Sequence, residues 1–181
     1  PMGEPKQLQK EDYTAVLSSM LELLLLEFAE GANGAQLDGV CRQALWKYGR
    51  HFKHGTGHGV GFGLEVHEGP QNISGRSNEK MELGMISTIE PGCYRPGEHG
   101  VRIENMVHTV LSHENEFGRF FKFENLTFCP INTDLIEPSM LPSHQIDWLN
   151  SYHEEVYEKL SPLLNDEERD WLKHECRPVS V

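Results

Sequence analysis

Near the N-terminus, apolar side chains recur with the period of a helix. Val16, Leu17, Met20, Leu21, Leu24 and Leu25 follow the i, i+3, i+4 pattern, which predicts a helix over residues 11–31 stopped by Gly31. Leu37, Val40, Cys41, Ala44 and Leu45 share one face of a second, shorter helix over residues 37–48, ended by Gly49. From His54 the pattern changes. Gly55, Gly57, Gly59, Gly61, Gly63 and Gly69 are too dense for a helix or a central strand, so this stretch is loop and strand where backbone approaches something closely. Apolar runs then predict strands over 85–90 and 101–111, with turn-rich residues 95–100 between them, and a strand pair or bulged strand over 117–128. After Pro130 the helical period returns. Ser143 is the expected N-cap of a helix to about Leu160, and Asn165 or Asp166 that of a last one to about Cys176, closed by Pro178. Two helices, an antiparallel strand cluster and a helical tail make an α+β fold, divided here as 1–130 and a helical extension 131–181.

Composition narrows the possibilities. The 181 residues are enough for a sizeable core, and 38% hydrophobic content is that of a soluble globular chain. The longest apolar stretch, residues 21–28, is interrupted by Glu22 and Glu27 and is too short to cross a bilayer. The opening residues 1–10 are polar and carry no signal-peptide core, and Pro1 is no natural initiator, so a processed or truncated start is expected. Cys41, Cys93, Cys129 and Cys176 form no C-x-x-C pair and read as reduced thiols of a cytoplasmic protein. A net charge of −12 argues against a nucleic-acid partner, which would need a basic patch.

Candidate chemistry lies in four short words: HGTGHG with His54 and His58, VHEGP with His67, TIEPG with Glu90, and RIEN with Arg102 and Glu104. Each alone is weak. A histidine in a glycine-rich loop is more often a solvated turn residue than a ligand. The glycines between His54 and His58 argue against a helix, and so against the H-E-x-x-H zinc geometry. Glu90 and Glu104 sit against apolar runs, where a carboxylate is rarely buried unless paired or metal-bound. Strand alternation leaves Glu104 free to face outward with Arg102, opposite Val101 and Ile103. Taken together, His58, Glu90 and Glu104 form a nitrogen/oxygen donor set suited to Mn²⁺, Co²⁺, Fe²⁺ or Zn²⁺.

The order and local words of these motifs resemble the pita-bread metallopeptidases. The segments HGTGHGVGFGLEVHEGP, ELGMISTIEPGCY and HGVRIENMVHTV, with INTDLIEP and IDWLNSYHEEVYEKL in the tail, most resemble the eukaryotic cytosolic Xaa-Pro aminopeptidase (aminopeptidase P) branch. The likeness covers nearly the whole chain. It implies part of a pita-bread catalytic domain with a helical C-terminal extension, and a cytoplasmic exopeptidase that releases the N-terminal residue from peptides with proline second. It also implies two divalent ions, with Mn²⁺ expected, about 3.5–4 Å apart. His58, Glu90 and Glu104 match metal ligands, with Glu104 bridging and Glu90 also taking a proton from the attacking water. His54 and His67 match substrate-binding histidines, His67 reading also as a structural hydrogen-bonding residue. Arg102 matches a neighbour that orients carboxylates.

The family's two Asp ligands, in a D-G-T-x-D-type word, are not matched; Asp12 and Asp38 lie in helical stretches without that word. The fragment is therefore expected to be inactive and to bind metal weakly or not at all. Prolidase-type dipeptidases on the same scaffold are the nearest enzyme alternative, and a non-catalytic protein-binding relative is the other class. A homodimer is the expected assembly. The stripe Ile146, Leu149, Val156 and Leu160, with Trp148, Tyr152 and Tyr157, reads either as its contact or as intramolecular packing.

Overall fold

The first apolar period does form a helix, shifted from the predicted bounds. In the computed structural model, which describes residues 3–63 and 65–180, α1 spans Gln7–Leu24. Pro1 and Met2, on which the reading of the chain's start rests, lie outside the described residues. The chain divides into two compact units, residues 15–127 and residues 1–14 with 128–181.

In the first unit α1 stops early because Phe28 leaves it for a short strand, β1 (Phe28–Ala29), where its ring packs against Phe121 and Phe123. Gly31, predicted as the helix stop, instead turns the chain after β1 with a positive φ of 91°. Helix α2 (Gly34–Trp46) starts behind a capping box: Asn33 Oδ1 accepts from the Gln36 N–H, and Gln36 Oε1 accepts from the Asn33 N–H. Seven further strands follow: β2 (Gly57–His58), β3 (Asn72–Ile73), β4 (Ile86–Ile89), β5 (Gly92–Arg95), β6 (His99–Arg102), β7 (Asn105–Asn115) and β8 (Gly118–Asn125). An antiparallel sheet runs β1-β8-β7-β4, with β2–β3 and β5–β6 as separate antiparallel pairs. Val16, Leu17, Met20 and Leu21 of α1, Leu37 and Leu45 of α2, and Ile89, Val107 and Phe121 of the sheet are among its buried core residues.

Two predicted strands are corrected. Residues 101–111 are not one strand. The chain breaks at Ile103–Glu104, so that β6 pairs with β5 while β7 pairs with β4 and β8. The turn expected over 95–100 is shorter, since Arg95 pairs with His99 and Gly97 supplies the positive φ. In the region 117–128 there is a single strand, β8, and the bulge lies in its partner between Leu111 and His113.

The second unit is organised by helix α3 (Ser143–Leu160). Pro142, not Ser143, occupies its N-cap, and no side chain caps it. Asn165 caps α4 (Asp166–Glu175) with a capping box to Glu168. Of the α3 stripe, Ile146, Leu149, Tyr152 and Val156 are buried within the chain, whereas Trp148, Tyr157 and Leu160 are half-buried. Tyr152 donates its O–H to the Cys129 carbonyl (2.9 Å), and Asn150 exchanges two hydrogen bonds with the Val179 backbone. All four cysteines are free thiols; burial pushes Cys41 and Cys176 each up to about 11, away from nucleophilic use at neutral pH.

His153, fully buried, accepts the Ile131 N–H at Nε2 (3.0 Å). Burial lowers its pKa below the ordinary 6.5, and the Arg177 charge acts in the same direction. The unfolded chain therefore binds a proton before the folded one does. This contribution to stability is complete above pH 6.5 and is lost as pH falls through the lowered folded value. Urea unfolding between pH 7.5 and 5 should show wild-type stability falling with acid, with a shallower fall in His153→Gln. Parallel slopes would rule His153 out as the cause.

Candidate metal centre

Antiparallel register brings the three donors together. Ile89 pairs with Asn105, so Glu90, just past the end of β4, lies beside Glu104, just before the start of β7. His58, in β2, is held to the neighbouring strand by its own N–H, which donates to Thr88 Oγ1 (3.1 Å). That approach requires glycine. A Cβ at Gly57 would lie 1.8 Å from the Thr88 carbonyl oxygen, and one at Gly59 2.1 Å from the Glu68 carbonyl oxygen. The crowding implied by the glycine run is thus with the chain's own backbone.

His58, Glu90 and Glu104 each present one donor atom, all within 4.8 Å of one another. Among the described residues this is the one group of three or more His, Cys, Asp or Glu able to hold a metal ion. Nδ1 of His58 lies 3.0 Å from the Gly59 carbonyl, which can only accept, so Nδ1 carries a proton and Nε2, 3.7 Å from Glu90 Oε1, is the ring nitrogen left to bind a metal. That tautomer is the one a metal ligand needs. Burial, and then the neighbouring Glu90 charge, raise the Glu104 pKa above the ordinary carboxylate value. Two carboxylates repelling each other beside an imidazole lone pair fit a divalent cation, whose charge relieves the repulsion.

The other predicted residues converge on the same place. Arg102 Nη1 stands 3.4 Å from Glu90 Oε2, and its Nε donates to the Tyr94 hydroxyl (3.0 Å). Tyr94 reaches His54 Nε2 (2.9 Å), whose Nδ1 donates to the Gly55 carbonyl (2.7 Å). The His67 ring lies 4.1 Å from that of His58. Tyr94 is the site residue that residue-by-residue reading missed. Its register partner on β6 is Gly100, which leaves room for the ring, and this pairing across a hairpin has no sequence signal of its own. Beside the cluster, His58, Val60, Val66, Ile86, Glu104 and Met106 contribute to the lining of a largely apolar cleft of about 610 Å³.

The sequence profile of metallopeptidase family M24 matches residues 1–110, and that of the C-terminal region of peptidase M24 matches residues 119–179. The chain belongs to metallopeptidase family M24. Its α+β fold is part of that family's pita-bread domain, with a C-terminal region following it. Among its relatives is aminopeptidase P2 of Arabidopsis thaliana, 46% identical over 98% of this chain and 26% of the relative. A probable Xaa-Pro aminopeptidase P of Coprinopsis cinerea is 40% identical over 98% of the chain and 30% of that protein. The M24 chain therefore spans about a quarter to a third of the length of these curated relatives. Among solved structures, the X-prolyl aminopeptidase of Caenorhabditis elegans, described as a cytosolic enzyme with a di-nuclear active site, superposes with a TM-score of 0.90. It is 37% identical and covers 97% of this chain and 29% of its own. The Xaa-Pro dipeptidase of Bacillus anthracis reaches a TM-score of 0.57 at 36% identity, over 71% of this chain and 33% of its own. No helix among the described residues is long and apolar enough to cross a membrane.

Proposed function

We propose that the full-length protein carrying this chain is a cytoplasmic two-metal Xaa-Pro aminopeptidase, and that this chain supplies His58, Glu90 and Glu104 to its metal pair, with Mn²⁺ the expected ion. The observation that carries the reading is the convergence of these three side chains, with His58 in the ligating tautomer. Further carboxylates outside this set complete the pair. A bound metal pair supplies a water of lowered pKa and polarises the scissile carbonyl.

The chain's own residues do the rest. Glu90 Oε1 faces His58 and would take the proton lost by the nucleophile, while Arg102 at Oε2 keeps that carboxylate oriented. Glu104, within 4.8 Å of the His58 and Glu90 donors, would help to hold the metal ions. His67, exposed beside His58, hydrogen-bonds the peptide around the scissile bond and stabilises charge on the carbonyl oxygen, and His54 joins it once its Nε2 exchanges the Tyr94 hydroxyl for the substrate. The apolar cleft beside His58 and Glu104 excludes water and accepts apolar parts of the substrate.

A dipeptidase reading is less well supported. The Bacillus anthracis dipeptidase likeness stops at 71% of the chain, whereas that to the Caenorhabditis elegans aminopeptidase extends over 97% of it, tail included. Peptides separate the two. The full-length enzyme should release arginine from Arg-Pro-Pro faster than it cleaves the dipeptide Ala-Pro, and should leave Ala-Ala-Ala intact. Preference for Ala-Pro would favour the dipeptidase, and equal turnover of Ala-Ala-Ala would refute proline recognition.

A further inference from the structure

Helix α2 carries a charged pair outside the metal cluster. Asp38 is 3% exposed, and Arg42 stands one turn later on the same face. The Arg42 Nε donates to Asp38 Oδ2 at 2.6 Å. Its two terminal nitrogens leave the helix and donate to the carbonyls of Phe52 (2.8 Å) and His54 (2.6 Å). The guanidinium also lies 4.1 Å above the Phe52 ring, which in turn packs 4.8 Å from the His54 ring. The second Asp38 oxygen accepts the Thr56 hydroxyl at 2.7 Å. The Thr56 carbonyl then accepts the Glu90 N–H at 2.7 Å. One ion pair thus grips both sides of the segment 52–56 and, through Thr56, the backbone of Glu90.

We propose that Asp38 and Arg42 are positioning residues for the peptidase reaction, holding His54 and Glu90 in mutual register from α2; this rests on the function proposed above. Stability alone is a poor account of the pair. Burying a carboxylate and a guanidinium costs about as much as their attraction returns, and an apolar pair of the same volume would serve the core as well. What an apolar pair cannot do is bind two carbonyls two residues apart. The rigid fork of arginine can, and lysine, a single point charge, cannot reach both. One of the bonded carbonyls belongs to His54 itself and the other to Phe52, whose ring packs on the His54 ring. Segment 52–56 bears no regular helix or strand to fix it otherwise. An angstrom of drift there would separate His54 from Glu90, and misplacement of that size costs about a hundredfold in rate.

The test uses the full-length metal-loaded enzyme, with kcat and KM for Arg-Pro-Pro, metal content and thermal melting measured together. Arg42→Ala should keep its metal and its KM within about threefold and lose about a hundredfold in kcat. Millimolar guanidinium should restore at least tenfold of that loss, which a merely structural role would not produce. Thr56→Val, a conservative change expected to fold even if Arg42→Ala does not, should lower kcat several-fold at unchanged KM. Wild-type kcat in either folded variant, or a kcat loss that guanidinium leaves untouched while melting falls in step, overturns the proposal. A wild-type enzyme idle on Arg-Pro-Pro overturns it together with the function on which it rests, whereas an active wild type with unaffected variants overturns the positioning role alone.

Discussion

Glu90→Gln in the full-length enzyme should lower kcat on Arg-Pro-Pro by about a thousandfold or more, since removal of a general base alone costs about 10²–10⁴. The substitution keeps shape and removes charge. It takes away a metal ligand, the proton acceptor facing His58, and the partner of Arg102 together. Stability should not follow activity. Glu90 is one of the charges that raise the Glu104 pKa, so neutralising it relieves a repulsion in the metal-free protein while forfeiting its pairing with the half-exposed Arg102. Because Arg102 is half exposed and solvent screens its side of the pair, these opposing changes should leave the apo melting temperature close to wild type. A variant that keeps more than a tenth of wild-type kcat at saturating Mn²⁺ would remove Glu90 from the chemistry.

The second large effect concerns the 181-residue chain by itself. One imidazole and two carboxylates can hold one ion as an open three-ligand site. They cannot hold two, because no other group of three donors exists among the described residues and each ion of a pair needs several. Titration calorimetry of the isolated chain with Mn²⁺ should therefore show at most one weak site, and a proline-peptide assay at high protein should show no turnover. Two micromolar sites, or metal-dependent hydrolysis, would show that the chain's own residues complete the centre.

Much of this architecture is legible in the chain. The helical periods of α1, α2 and α3 and the N-cap before α4 are local features, so they read directly from spacing. Boundaries fail where a tertiary partner takes over. Phe28 continues the apolar run of α1 but belongs to the sheet, because Phe121 and Phe123 offer its ring more than another helical turn would. The β5–β6 hairpin was hidden by its own turn formers: Gly92, Pro96, Gly97 and Gly100 obscure strand alternation on both sides.

The site was legible as a list of donors, not as a place. That His58, Glu90 and Glu104 meet depends on β4–β7 register and on Gly57 lying against Thr88, which are long-range facts that no local word encodes. Asp38 shows the same limit. Sequence reading weighs it as a metal ligand and sets it aside, and its partnership with Arg42 could be suspected from the i, i+4 spacing, but the two carbonyls that give the pair a purpose lie ten and twelve residues beyond Arg42.

The most direct measurement is anomalous scattering from crystals of the full-length protein soaked in Mn²⁺. The account predicts two peaks about 3.5–4 Å apart, with His58 Nε2 and the carboxylates of Glu90 and Glu104 in coordinating contact and Glu104 touching both. No peak within reach of His58, or a single ion that leaves Glu104 uncoordinated, would contradict it.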